Sequence, residues 1–313
     1  MTTWSVVAIL KEPWPVLERF ISWHLAAGAE RLHLVFDDPE DPSVSRLEGH
    51  PALDIHRATP DFWRSCGAKP DGHFTHRQNM SMNYLYQRAT SDWVLNLDGD
   101  ELVYCRDGRL ADLLDTQPPE VRSLLLGVAE HVGRRGDGAC DQFRLPMWPR
   151  LSRRVYGEFS RYMEGNKGLV GHTVGKTVVR TGIASKRFHP HWLVAEDGTR
   201  ILDKKIVAED GVGILHFYAD LYDVWRRKLE YRVQAQARSR RTEILDALLE
   251  ILDAGDEARL RDFYQRMHHL DVRQAKLLLS RDRLLEVDVT HAPLFDGPAE
   301  GFSEPCEAAP FSN

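Results

Sequence analysis

A pair of carboxylates follows a short apolar segment near the middle of the chain. The segment runs from Trp93 to Leu97, and Asp98, Gly99 and Asp100 come directly after it, with Glu101 behind. Its apolar and β-favouring residues predict a buried strand, and Gly99 permits a tight turn at which Asp98 and Asp100 converge. Carboxylates placed in this way suit a hard cation such as Mg²⁺ or Mn²⁺, which can bridge to substrate phosphates. The alternative is a solvated turn, because Asp-x-Asp pairs are common by chance.

The segments before this motif alternate between strand and helix. Residues 4–10, 32–36 and, more weakly, 53–57 are predicted strands, and apolar residues at helical spacing predict helices at 16–27 and 75–89. The alternation predicts right-handed parallel crossovers in a doubly wound, mostly parallel α/β sheet. Ligands bind outside the carboxyl ends of the strands in such a sheet. The carboxylate motif lies at one of these ends.

The pattern changes at about residue 220. A short predicted strand, Ile214 to Tyr218, carries His216, which taken alone is either a core histidine or a site residue. Four later stretches have helical spacing, and they are 220–237, 242–253, 256–268 and 271–279. We therefore predict an α/β domain at 1–219, a helical region at 220–292 and an irregular tail at 293–313, which is rich in Pro, Gly and Glu.

Composition narrows the class of protein. The hydrophobic fraction of 42% and the charged fraction of 28% are typical of soluble globular proteins, and the net charge of -6 argues against a nucleic-acid partner. The four cysteines form no CxxC pair, so we expect neither structural zinc nor a disulfide framework. The N-terminus lacks signal-peptide features, and no apolar run approaches the roughly 18 residues that a membrane span needs. These features predict a cytoplasmic protein, with peripheral contact to the inner face of the membrane left open.

Other common nucleotide-binding and hydrolytic motifs are missing or incomplete. The first predicted strand is followed by Lys-Glu-Pro-Trp-Pro and not by a glycine-rich dinucleotide-binding turn. The segment from Gly171 to Thr177 is one residue short of a P-loop, and no buried strand leads into it. A G-x-S-x-G nucleophile elbow is also missing. These observations exclude three common enzyme classes and leave the acidic motif as the main candidate.

A series of short motifs lies along residues 4–230. They are Lys11-Glu12, Phe20-Ile21-x-Trp23-His24, Gly28-Ala29, Phe36-Asp37-Asp38, Arg77-Gln78, Trp93-Val94, Leu97-Asp98-Gly99-Asp100-Glu101, Gly175-Lys176 and His216-Phe217-Tyr218, followed by a helix with Lys228. In this order and spacing the set resembles glycosyltransferases of the family 2 and family 92 type, which have the GT-A fold. The chain departs from the family pattern at Glu12, where Asn often follows the lysine, and at Asp37-Asp38, which replaces the usual Asp-Asn pair.

The resemblance implies a divalent cation, Mn²⁺ or Mg²⁺, and a nucleotide-sugar donor such as a UDP- or GDP-sugar. The acceptor would be a glycan, a polysaccharide or a lipid-linked molecule. Asp98 and Asp100 would be the Asp-x-Asp pair, with Asp100 as the more direct metal ligand, and His216 would complete the metal site. Residues 1–219 would form the nucleotide-sugar-binding and catalytic domain.

The same resemblance implies roles for residues that follow the first two predicted strands and for two residues in the helix predicted at 75–89. Glu12 and Asp37 fall where the family binds the base and ribose of the nucleotide. Lys11 and Arg77 would meet the diphosphate, and Gln78 lies beside them. These five residues, together with Asp98, form the predicted donor-binding set.

Transfer with inversion, which the resemblance favours, needs a group that takes the proton of the acceptor hydroxyl. Glu130 and Asp210 are the predicted bases, with His131 behind them, and each has the alternative of a solvated loop residue. Two other functions stay open. One is a nucleotidyltransferase that uses the same acidic metal site and releases pyrophosphate. The other is an inactive GT-A-like binding or scaffold protein with little affinity for nucleotides.

Overall fold

The computed structural model of the protein describes residues 1–136, 138, 140–236, 243–290 and 294, with side chains described outside 231–236. Its strands are β1 (Trp4–Leu10), β2 (Arg31–Phe36), β3 (Leu53–Arg57), β4 (Trp93–Asp98), β5 (Glu101–Cys105), β6 (Ser123–Leu126), β7 (Val128–Arg134), β8 (Asp141–Arg144), β9 (Lys176–Arg180), β10 (Ser185–His189), β11 (Trp192–Ala195), β12 (Arg200–Ile201), β13 (Lys204–Ile206), β14 (Val212–His216) and β15 (Leu284–Val287). Its α-helices are α1 (Trp14–Ala26), α2 (Ser43–Leu47), α3 (Pro60–Ser65), α4 (Phe74–Tyr86), α5 (Leu110–Asp115), α6 (Pro149–Tyr156), α7 (Tyr222–Gln236), α8 (Glu243–Asp253), α9 (Glu257–His268) and α10 (Val272–Leu279). Two 3₁₀ helices cover Gly157–Asn166 and Ala208–Asp210.

The largest sheet has the strand order β13-β6-β9-β4-β1-β2-β3. β1 pairs in parallel with β2 and with β4, and β2 pairs in parallel with β3. β9 lies antiparallel between β4 and β6. The carboxyl ends of β1, β2 and β4 therefore meet at one edge, and β9 begins at that edge. The predicted α/β class with a parallel-rich sheet is confirmed.

The first crossover follows directly from its residues. Every residue of β1 is buried, and all of them except Ser5 are apolar. Proline near the start of α1 suits a first turn whose N–H groups have no helical partner. The helix then buries Leu17, Phe20 and Ile21 in the main core, and the chain leaves it through Gly28 at φ +91°. This conformation favours glycine, which allows the turn into β2.

A second sheet has the order β15-β8-β7-β14-β5. β14 pairs in parallel with β7 and antiparallel with β5, and the register sets His216 opposite both Glu130 and Glu101. β4 belongs to the first sheet and β5 to the second, so the turn at Gly99 and Asp100 joins the two sheets. A third, antiparallel sheet, β10-β11-β12, packs against α4.

The predicted helices of the C-terminal region correspond to α7, α8, α9 and α10. The same region also contains the strand β15, which extends the second sheet by pairing with β8. A hydrophobic cluster also joins these helices to earlier residues, among them Met147, Leu151 and Met163. The division at residue 220 stays a prediction, and the predicted tail at 293–313 lies outside the described residues apart from Leu294. None of the described helices has the length and apolar character that crossing a membrane would require.

Candidate active site

The turn between β4 and β5 gathers four carboxylates. The backbone N–H of Asp98 donates to Oε2 of Glu101 at 2.9 Å, which closes the turn. A Cβ atom on Gly99 would lie 2.6 Å from Oε2 of Glu12, so the side chain of Glu12 crosses the turn where only glycine leaves room. We refer to Glu12, Asp98, Asp100 and Glu101 as the carboxylate cluster.

Two lysines bind the carboxylate cluster. Lys176 is fully buried at the start of β9, and its Nζ lies 2.5 Å from Oδ2 of Asp98 and 3.0 Å from Oε2 of Glu101. Burial would lower the pKa of Lys176, but Asp98 and Glu101 raise it overall, so the ammonium stays charged. Lys228 on α7 places its Nζ 2.5 Å from Oδ2 of Asp100. Burial would raise the pKa of Asp100, and Lys228 and His216 lower it overall.

Negative charge still dominates the carboxylate cluster. Burial and, after it, the neighbouring Asp100 raise the pKa of Glu12 to about 7, although the backbone N–H of Lys11 donates to its Oε2 at 2.7 Å. Burial is the main cause of this rise in pKa, and the negative charge of Asp100 adds to it. Among the described residues, four carboxylates here face two ammonium groups.

Two histidines border the cluster. His216 ends β14, with its Nε2 3.7 Å from Oδ1 of Asp100, and His172 has its Nε2 3.5 Å from Oε1 of Glu101. One ligand atom each from Glu101, His172 and His216 lies within 4.8 Å of the others. Burial lowers the pKa of His216, so its imidazole is neutral at neutral pH and can act as a metal ligand. The sequence reasoning missed His172, which lies in the segment that was compared with a P-loop.

The predicted donor-binding residues lie along the same sheet edge. Asp37 follows β2, with Arg77 at 3.6 Å and Lys11 at 3.9 Å. The amide Nε2 of Gln78 donates to Oδ1 of Asp98 at 3.1 Å, which connects this group to the carboxylate cluster. The structure therefore brings together Lys11, Glu12, Asp37, Arg77, Gln78, Asp98, Asp100 and His216.

Glu130 does not have the environment of a general base. Its carboxylate is fully buried, pairs with Arg144, and accepts the backbone N–H groups of Val170 at 3.0 Å and Gly171 at 2.5 Å. Burial would raise its pKa, but Arg144 and these hydrogen bonds lower it to about 2. A base needs a higher pKa and access to the acceptor, so the geometry argues against this prediction.

The structure also places Asp210 away from the site. Asp210 is exposed and precedes β14, whereas His216 ends that strand. Because the five-residue strand alone is roughly 13 Å long, Asp210 cannot reach the carboxylate cluster. His131 is buried, with its Nε2 2.9 Å from Oδ1 of Asp141.

No protein-family model and no curated protein sequence matches the chain. Solved structures with local similarity include S. aureus TarS 1–349 in complex with UDP, at 13% identity and a TM-score of 0.26 over 43% of this chain and 38% of that chain. The glycosyltransferase GlyE of Streptococcus pneumoniae TIGR4 aligns at 19% identity and a TM-score of 0.25, over 40% of this chain and 30% of that chain. A 4-diphosphocytidyl-2C-methyl-D-erythritol synthase aligns at 14% identity and a TM-score of 0.27, over 44% of this chain and 65% of that chain.

This chain spans less than two thirds of the length of each of these three proteins. The TM-scores are too low to support an argument about function. A functional conclusion for this chain therefore depends on its own site.

Proposed function

We propose that the chain is a metal-dependent glycosyltransferase with a GT-A-like fold, which moves a sugar from a nucleotide-sugar donor to a hydroxyl acceptor. One observation carries the proposal: the carboxylate cluster lies at the carboxyl edge of a parallel-rich sheet and has more negative than positive charge. Ligands bind at this edge in open α/β sheets. The motif order described above is the second support.

The residues present fit a divalent cation. Asp98, Asp100 and His216 are the predicted ligands, and carboxylate oxygens with a neutral imidazole are suitable donors for Mn²⁺. Oε1 of Glu101 and Nδ1 of His216 are buried without a hydrogen-bond partner in the described part of the chain, so these two atoms are further possible metal ligands. When bound, the cation would act as a Lewis acid that stabilises negative charge on the leaving diphosphate.

The chain's own cations would assist the same step. Lys11 has a mostly exposed side chain at 77%, and Arg77 lies 3.6 Å from Asp37, so both cations lie at this edge. Their positive charges would bind the diphosphate, while Glu12 and Asp37 would accept hydrogen bonds from the base and ribose. This assignment is the one expected from the family resemblance.

The acceptor is proposed only as a class of molecule. We propose a cytoplasmic location and a glycan, polysaccharide or lipid-linked acceptor. The hydroxyl of the acceptor would attack the anomeric carbon with inversion while the bond from that carbon to the nucleoside diphosphate breaks, and a base would take the hydroxyl proton. Neither Glu130 nor Asp210 is proposed as the base. Contact with the inner face of the membrane is proposed only as peripheral.

The proposal can be tested by a thermal-shift screen of nucleoside diphosphates and nucleotide sugars, with and without Mn²⁺. A ligand at 100 times its dissociation constant stabilises the folded state by about 2.7 kcal/mol, which corresponds to a shift of roughly 5–10 °C for a chain of this size. We expect such a shift for one nucleotide class, only with metal, and its loss in Asp100→Asn. The control is Asp262→Asn, in an exposed ion pair on α9.

Failure of every nucleotide to shift the melting temperature, with or without metal, would refute the transferase and favour the inactive binding protein. Product analysis separates the other alternative. A glycosyltransferase releases a nucleoside diphosphate, whereas a nucleotidyltransferase releases pyrophosphate.

A further inference from the structure

We infer that Glu101, His172 and His216 form a binding site for a divalent transition-metal ion, and that this site binds Co²⁺ and Zn²⁺ more tightly than Mg²⁺. The inference deepens the proposed function by naming a different set of ligands and a preference among metals, and its test needs no nucleotide.

Geometry supports these three ligands. Ligand atoms around a metal with bonds of about 2.0–2.2 Å lie roughly 3–3.5 Å apart. Nε2 of His172 is 3.5 Å from Oε1 of Glu101, and all three groups offer atoms within 4.8 Å of one another. The rings of His172 and His216 have centroids 5.2 Å apart. Small side-chain rotations are therefore enough to bring the donors to bonding distance.

The aspartates of the turn are less available than these three residues. Asp98 accepts hydrogen bonds at both oxygens, from Gln78 and from Lys176, and Oδ2 of Asp100 accepts one from Lys228. A metal that used these oxygens would have to displace ammonium or amide donors. Three of the four aspartate oxygens are therefore held by side-chain donors, whereas Oδ1 of Asp100 and Oε1 of Glu101 face the histidines.

Glu101 is the strongest single observation. Its carboxylate is fully buried and Lys176 contacts only Oε2; among the described residues Oε1 makes no hydrogen bond, although Nε2 of His172 lies 3.5 Å from it. A buried polar atom without a hydrogen-bond partner destabilises the folded state. Nδ1 atoms of both histidines are buried without partners as well. A cation that binds between these groups would satisfy the carboxylate oxygen and add positive charge where negative charge is in excess.

The donor types set the preference among metals. Two imidazoles and one carboxylate suit zinc and related transition metals, whereas Mg²⁺ prefers oxygen ligands and keeps its water. Affinity for such a site rises from Mn²⁺ to Co²⁺ in the usual order of divalent metals. The predicted order is therefore Co²⁺ and Zn²⁺ above Mn²⁺, with Mg²⁺ weakest.

A second group of possible ligands, His33, Asp54 and His56, lies on β2 and β3. Here Oδ2 of Asp54 already accepts from both histidines, at 2.8 Å and 3.0 Å. No buried atom of this group lacks a partner among the described residues. The group is satisfied without a metal and serves as the matched control.

The test is a Co²⁺ titration of the full chain, followed by visible absorption and calorimetry, for the wild type, His172→Ala and His56→Ala. His172 has 32% of its side chain exposed, so its removal should leave the fold intact, which circular dichroism can verify. We expect His172→Ala to weaken Co²⁺ binding at least tenfold and to change the absorption spectrum, and His56→Ala to leave both unchanged. His172→Asp, which restores a ligand, should recover part of the affinity.

Equal Co²⁺ affinity and equal spectra in the wild type and His172→Ala would overturn the inference, and so would displacement of Co²⁺ by equimolar Mg²⁺. The nucleotide screen reports separately on the proposed function. Metal-dependent nucleotide binding without a contribution from His172 would refute only this inference. Co²⁺ binding through His172 without any nucleotide shift would refute only the transferase.

Discussion

Replacement of Glu130 by glutamine distinguishes a structural role from the catalytic role that the sequence suggested. Glu130 and Arg144 are both fully buried and form an ion pair between β7 and β8. In Glu130→Gln the guanidinium keeps its hydrogen bonds to the hydroxyl of Tyr156 and the carbonyl of Met267, both at 2.8 Å, but loses its counter-charge. We expect this variant to be strongly destabilised.

The magnitude follows from the burial of both charges. Removal of one partner of a buried ion pair costs about 3–5 kcal/mol, because the other charge is left uncompensated. The amide also presents hydrogens to donors, so one of the N–H groups of Val170 and Gly171 loses its acceptor. At roughly 2–4 °C per kcal/mol, the melting temperature should fall by roughly 6–20 °C.

Urea denaturation and thermal scans measure this effect directly. Asp262→Asn, which breaks an exposed pair with Arg266, should cost only about 0–1 kcal/mol. A double-mutant cycle with Arg144→Met should give a coupling energy of about 2–3 kcal/mol. A Glu130→Gln variant with the melting temperature of the wild type, but without transferase activity, would refute the structural reasoning and return Glu130 to the role of base.

Two further predictions concern the steric requirement for glycine at residue 175 and the pH dependence of the free energy of unfolding. Gly175 has φ +87°, and in Gly175→Ala the new Cβ would lie 2.0 Å from the carbonyl oxygen of Leu126, so the free energy of unfolding measured in urea should fall by on the order of 3 kcal/mol or more. The control Gly182→Ala has a similar φ of +82° but open space around the new Cβ, and it should lose only about 1–2 kcal/mol. Equal losses in the two variants would contradict the steric argument. Burial lowers the pKa of His24 to about 4, so between about pH 6.5 and pH 4 the unfolded chain binds a proton that the folded chain excludes. As the pH is lowered through this window, the free energy of unfolding should decrease by up to about 3 kcal/mol. His24→Gln should flatten that part of the urea-derived stability profile, and an unchanged slope would show that His24 is not its source.

Local patterns predicted the parallel strands at the site and most of the α-helices. Alternating apolar segments gave the parallel strands β1, β2 and β4, and helical spacing gave the four helices after residue 220, because both signals depend on residues close in sequence. β15 was missed because its four residues are stabilised by pairing with β8, about 140 residues earlier. Pairing with a strand so far away in the sequence produces no periodic pattern within a segment of four residues.

Some residues of the site could be predicted from the sequence and others could not. Asp98 and Asp100 follow a predicted strand, and the rule that ligands bind at the carboxyl ends of parallel strands placed them in a site. The family resemblance added Lys11, Asp37 and Arg77. Lys176 and His172 could not be placed by this rule, because β9 enters the sheet antiparallel and brings its first residue to the edge where the other strands end. Glu130 was misjudged because its partner Arg144 lies on another strand, and the pairing is invisible in sequence.

Glu130 connects the second sheet to the site. Its carboxylate holds the backbone at Val170 and Gly171, and a Cβ on Gly171 would lie 3.3 Å from Cε1 of His216. The residue that follows Gly171 is His172, so the Glu130–Arg144 pair fixes the loop that presents His172 to Glu101. The strand register places His216 opposite both glutamates. The buried ion pair therefore positions one histidine through a loop and the other through a strand, which explains why a carboxylate that cannot act as a base still lies beside the proposed metal site.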